Sequence, residues 1–147
     1  MNLFFDTSAL VKYYLPEAGS DKVDQLIGST ENHVWLSELL KTEFYSALFR
    51  RFRTGELSAI QIQSAINGFE ISIQQFHIQP LNSLVLHESE KLLKTEGRKY
   101  PIRTLDALHF CSFRLLADST WAFVTADTPF AGFVSGLGYH VVNPLTS

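Results

Sequence analysis

The sequence predicts an α/β fold, a mainly parallel central sheet wrapped by helices. Short apolar runs at Leu3–Phe5, Val34–Leu36 and Trp121–Thr125 alternate with amphipathic stretches of helical length. Parallel neighbours need crossover connections, and a helix after each strand supplies one. A chain of 147 residues suits one domain spanning residues 1–147, long enough to bury most of the surface that its unfolded form exposes.

The first apolar run ends at Asp6-Thr7-Ser8, where Thr7 or Ser8 can cap a helix reaching about Tyr14 before Pro16 closes it. A second helix is expected over Ser20–Ile27. Gly28-Ser29 and Thr30-Glu31-Asn32 then form a loop into the strand Val34–Leu36. Ser37 is placed to cap a long helix to about Arg53, with Gly55 at its C-cap and Arg50, Arg51 and Arg53 complementing the helix dipole. Ser58 with Gln61 has the form of a capping box, and Ile62, Ile66, Phe69, Ile73 and Phe76 recur at gaps of four and three, an apolar helical stripe that reads as core. Ile60 and Ile71 lie off that stripe and leave room for an interface.

Ile78–Leu81 is a strand candidate at a sheet edge, because Pro80 cannot donate to a ladder. Ser83–Glu96 reads as a helix stopped by Gly97, and Thr104 as the cap of another that runs to about Ala117. The strand Trp121–Thr125 then delivers Asp127, and a final helix and the strand His140–Val142 complete the pattern.

Hydrophobic residues at 46% and charged residues at 18% exclude a disordered or fibrous chain. No apolar run approaches the roughly 20 residues of a membrane span. Met1–Pro16 lacks a basic leader region and is interrupted by Asp6 and Lys12, so it does not read as a signal peptide. The lone Cys111 excludes an intrachain disulfide and is compatible with a reducing compartment, so the cytoplasm is the expected location. His33, His77, His87, His109 and His140 show no paired spacing, which argues against a zinc cluster and for oxygen ligands at any metal site.

Four acids stand out by their surroundings: Asp6 after Leu3-Phe4-Phe5, Glu43 beside Leu40 and Phe44, Asp106 between Leu105 and Ala107-Leu108, and Asp127 after Phe123-Val124. An ionised carboxylate among residues that favour burial is costly unless compensated. Helix N-termini stabilise one or two such groups, and capping is the plain alternative for Asp6, Asp106 and Asp127. Four converging acids would instead repel one another, a conflict that a hard divalent cation resolves. Setting these four aside leaves 12 basic against 11 acidic residues, so the net charge of −3 comes from the candidate site. Magnesium or manganese suits such an all-oxygen donor set and would support phosphoryl chemistry through an activated water. Asp6 and Asp127 fall at strand ends, where sheets of this kind bind ligands.

Four segments, Phe4-Phe5-Asp6-Thr7-Ser8-Ala9-Leu10, Thr42-Glu43-Phe44-Tyr45-Ser46-Ala47-Leu48, Arg103-Thr104-Leu105-Asp106-Ala107-Leu108-His109 and Phe123-Val124-Thr125-Ala126-Asp127, occur in an order that covers the whole chain. Together they resemble a PIN-domain ribonuclease of the VapC toxin type. The resemblance implies a three-layer α/β/α sandwich, Asp6, Glu43, Asp106 and Asp127 as catalytic metal ligands for Mg2+ or Mn2+, and RNA as the substrate, cut to leave a 5′-phosphate and a 3′-hydroxyl. It also implies a homodimer and a cognate antitoxin that blocks the site. Thr128-Pro129-Phe130-Ala131-Gly132-Phe133 departs from the family pattern, placing aromatics and a glycine where relatives carry an Ala/Leu-rich helix.

His109, one turn after Asp106 on an apolar helix face, reads as a hydrogen-bonded core residue rather than a catalytic one. Arg50, Arg51, Arg53, Arg98, Lys99 and Arg103 read equally well as phosphate contacts and as solvated ends and loops. A DNA-directed or structure-specific nuclease shares the same acids. A phosphoacceptor domain needs adjacent acids after the first strand and a late lysine, neither of which is present. A non-catalytic binding module would use the acidic cleft for a basic partner segment.

Overall fold

Strand β1 (Asn2–Phe5) is buried on both faces, which is why it reads as an unbroken apolar run rather than an alternating one. In the structure, a computed structural model describing residues 1–146, β1 is central in a five-stranded sheet. It lies between β2 (His33–Ser37) and β4 (Trp121–Val124), with β3 (His77–Gln79) and β5 (Val141–Val142) at the edges. All four strand pairings are parallel. The chain builds outward from β1 to one side and returns to build the other, so the switch point lies between β1 and β4.

The helices are α1 (Thr7–Leu10), α2 (Ser20–Gly28), α3 (Leu39–Arg53), α4 (Ala59–Ser72), α5 (Ser83–Glu96), α6 (Thr104–Leu116) and α7 (Thr128–Gly136). Successive side chains of a strand point to opposite faces. Leu3, Phe5, Leu36, Ala122 and Val124 accordingly pack with residues of α1 to α4, whereas Phe4, Trp121 and Phe123 pack with residues of α5 to α7. The result is the expected three-layer α/β/α arrangement. No helix among the described residues is long and apolar enough to cross a membrane.

Several boundaries differ from the sequence reading for identifiable reasons. Asp6, not Thr7 or Ser8, caps α1, and α1 stops at Leu10 before a 3-10 turn over Val11–Tyr13. Ser37 ends β2 instead of capping α3, although its hydroxyl still accepts from the Leu39 N–H at 3.2 Å. Thr104 lies inside α6, and Arg103 occupies the cap position, where its side chain accepts no backbone N–H of the helix. β3 ends before Pro80, which therefore deprives no ladder of a donor.

Other local signals act as read. Ser58 and Gln61 form both bonds of the capping box, at 3.2 and 2.8 Å. Beyond the end of α3, Gly55 takes φ +78°, which lets Gly55 and Glu56 donate back to the Phe52 and Arg51 carbonyls at 3.1 and 2.9 Å. Ile62 and Phe69 are buried, and Ile66, Ile73 and Phe76 pack against the same core. Ile60 and Ile71 remain exposed.

Phe44 is fully buried and stacks on Phe69 with ring centroids 4.0 Å apart. Phe44→Ala should therefore cost about 3–5 kcal/mol in urea denaturation, whereas Ile60→Ser, at a site 82% exposed, should stay within about 0.5 kcal/mol. Similar losses for the two variants would contradict this assignment of the core.

Candidate active site

The carboxyl ends of β1 and β4 lie side by side because Phe5 pairs with Val124 in the parallel register. The Asp6 N–H continues the ladder to the Val124 carbonyl at 3.0 Å. Asp6 thus leaves the central strand at the switch point and at once begins α1, with its Oδ1 accepting from the Ala9 N–H at 3.0 Å. The Ser8 hydroxyl donates to the same Oδ1 at 2.7 Å and accepts from the Ala126 N–H at 3.0 Å. One serine therefore ties the two strand ends together around the acid.

Asp127 repeats the arrangement after β4. Its Oδ1 accepts from the Phe130 N–H at 3.0 Å and caps α7, while its own N–H donates to the Thr125 hydroxyl at 3.2 Å. The aromatic stretch Thr128–Phe133 is accommodated as a regular helix, with Phe130 and Phe133 buried in the core.

The other two acids come from the two helix layers. Glu43, on α3, accepts at Oε1 from the Thr7 hydroxyl at 2.8 Å and from Nε2 of His109 on α6. His109 is buried, and its Nδ1 has no hydrogen-bond partner among the described residues. An ionised carboxylate only accepts, so it is Nε2 that carries a proton toward Glu43. The reading of His109 as a bonded core residue holds, but its partner is one of the four acids. Asp106, in the first turn of α6, pairs with Nε of Arg103 at 3.1 Å. Arg103 also reaches Asp127 at 3.5 Å.

Burial holds the Asp6 carboxyl above its ordinary value of 3.8, and the charge of His109, the hydroxyls of Thr125 and Ser8 and the Ala9 N–H offset this only in part. Among the described residues no lysine or arginine pairs with Asp6. Burial also acts to raise Glu43. There the hydrogen bond and charge of His109, together with Thr7 and Arg103, win and hold it below its ordinary value of 4.5. The two carboxyls are thus shifted in opposite directions, as is common in catalytic clefts.

All four acids line one cleft of about 420 Å³, whose wall also includes Arg50 and Arg103. The structure therefore brings the four predicted residues to one cavity but does not close them on one point. Among the described residues, no three His, Cys, Asp or Glu side chains are grouped so as to hold a metal ion. Arg103 engages Asp106 and Asp127, and His109 engages Glu43, while Asp6 serves its own helix. The donor chemistry nonetheless fits a hard cation, because the cleft offers carboxylate oxygens, one of them buried without a cationic partner. Sequence reasoning missed Thr7, Ser8 and Thr125 as supports of the acids. The two hydroxyls directly after Asp6 read more simply as helix caps.

Residues 3–133 match the family model described as PIN domain. No curated protein sequence matches. Among solved structures, VapC20 of Mycobacterium tuberculosis, described as a sarcin-ricin loop cleaving toxin, is 18% identical with TM-score 0.72, the match covering 97% of this chain and 99% of that one. FitAcB of Neisseria gonorrhoeae is 19% identical with TM-score 0.70, at 99% coverage of both chains. VapBC-1 of nontypeable Haemophilus influenzae is 15% identical with TM-score 0.65, at 99% and 100% coverage. At these identities the likeness establishes the fold.

The Asp6 shift has a direct consequence for stability. Between 3.8 and its raised value the folded state binds more protons than the unfolded one, so stability falls as pH rises through that window and stays reduced above it. Asp6→Asn removes the ionised group. In chelator at pH 7 it should melt above the wild type, by about 2–4 °C for each kcal/mol regained, with the gap closing toward pH 4. A variant melting at or below the wild type at pH 7 would show that Asp6 is not strained by burial.

Proposed function

This chain belongs to the PIN domain family, and on that premise we propose that it is a metal-dependent endoribonuclease, the toxin of a toxin–antitoxin pair, acting through one catalytic domain over residues 1–147. The observation that carries the proposal is the meeting of Asp6, Glu43, Asp106 and Asp127 in one cleft at the switch point, from four separate segments. These four would hold the ion, and Mg2+ or Mn2+ suits their oxygen donors. When bound, the ion supplies charge to neutralise a phosphodiester and acidity to activate a water.

The remaining work falls to residues of the chain. Thr7 and His109 both grip Oε1 of Glu43, which leaves Oε2 without a side-chain partner among the described residues. Arg103, with its side chain 74% exposed, is free to turn from the acids toward an RNA phosphate. Lys12 and Arg51 also line the cleft, but they are paired with Glu17 and their side chains are only 10% and 25% exposed, so Arg50 and the exposed Arg103 are the better phosphate contacts. RNA as the substrate is carried over from the similarity to the sarcin-ricin loop cleaving toxin, and a cognate antitoxin from the similarity to VapBC. A homodimer in the cytoplasm accords with the same family.

Purified protein should cleave single-stranded RNA with Mg2+ or Mn2+, lose the activity in chelator, and leave DNA of the same sequence intact. Asp6→Asn should lower the rate at least about 100-fold, the scale lost when charge stabilisation at a reacting centre is removed. Undiminished cleavage by Asp6→Asn would sink the proposal, and preferential cutting of DNA would replace RNA as its substrate.

A further inference from the structure

Beside the acid cleft lies a second cavity of about 230 Å³, formed by the loop before α6 and the first turns of α7. Its apolar wall consists of Tyr100, Pro101, Ile102, Pro129, Phe130 and Phe133. The Tyr100 and Phe133 rings lie 5.0 Å apart at a tilt of 59°. Phe130 and Phe133 are anchored in the core, whereas Tyr100 is 45% exposed and stands as the free wall of the cavity. The rim is shared with the acid cleft through Arg103, Asp106 and Asp127.

We propose that this cavity is a nucleobase subsite, which seats the base of a nucleotide adjoining the phosphate that lies in the acid cleft. The inference rests on the nuclease reading and deepens it by naming where the RNA is gripped. A nucleotide joins a planar, largely apolar ring to an anion, and the two cavities offer aromatic walls on one side of Arg103 and a phosphate cleft on the other. Bases freed from a helix stack on aromatic side chains and on guanidinium planes, a mode open to any base because every base has a π-face. A protein side chain entering the same cavity would use the aromatics but would have no need of the continuity with the acids. Pro129, Phe130 and Phe133, from the aromatic stretch Thr128–Phe133, furnish part of the cavity wall.

The test is binding of a fluorescently labelled single-stranded oligoribonucleotide by full-length protein in Mg2+, with Asp6→Asn present throughout to suppress turnover. Adding Tyr100→Ala should weaken binding about 5- to 150-fold, the range measured for loss of one base–aromatic stack. Tyr100→Phe should bind within about twofold of the Asp6→Asn parent. An oligonucleotide made abasic at one position near the cleavage point should bind the parent as weakly as the intact RNA binds the Tyr100→Ala form, and the two changes together should not add. If the wild type cleaves RNA but Tyr100→Ala changes neither binding nor the abasic response, the subsite is wrong and the nuclease stands. If the protein neither binds nor cuts RNA, both fall. A change of oligomeric state in Tyr100→Ala with RNA affinity intact would assign the cavity to a second copy of the chain and overturn the subsite.

Discussion

The buried carboxylate of Asp6 is the constraint around which the rest is arranged. It stands at the end of the central strand, where no lysine or arginine among the described residues compensates it and burial pushes its protonation upward. Everything near it is a partial remedy: the N-terminus of α1, the Ser8 hydroxyl and Thr125. An arrangement that only stabilised the fold would place an asparagine or serine there, since either caps a helix without burying a charge. On the proposed reading, that strain is capacity reserved for a cation.

The sheet explains why four acids distant in sequence share a cleft. Two of them leave adjacent parallel strands at the switch point, and each of the two helix layers supplies one more. Each acid is already engaged: Asp127 by the N-terminus of α7, Glu43 by Thr7 and His109, Asp106 by Arg103. Such partners hold the carboxylates in place and reduce their mutual repulsion. Among the described residues the acids do not form a group of three placed to hold a metal ion. Arg103 is the pivot of this balance, since it touches two of the acids, is largely exposed, and borders both cavities.

Much of this was legible in the residues, and what was not has a physical cause. The parallel sheet followed from apolar runs separated by helical stretches. The capping box at Ser58 and the glycine after α3 followed from local chemistry that needs no tertiary partner. The four acids could be picked out because apolar neighbours make a carboxylate conspicuous. The start of α1 is set by the Asp6 carboxylate, whereas Glu38 and Arg103 at the starts of α3 and α6 make no side-chain cap bond, so the hydroxyls of Ser37 and Thr104 beside them point to the wrong residue. Asp6 rather than Thr7 caps α1 because Thr7 is drawn 36 residues along the chain to Glu43. The bond between His109 and Glu43 spans the two helix layers, and no local spacing could have shown it.

If the burial of Asp6 is capacity reserved for a cation, the ion itself should be visible there. Diffraction from crystals soaked in Mn2+, collected near the manganese absorption edge, should show an anomalous peak against the Asp6 carboxylate, with Arg103 turned away from Asp106 or Asp127. A cleft without a peak at saturating Mn2+, or a peak that makes no contact with Asp6, would contradict the metal reading of the site.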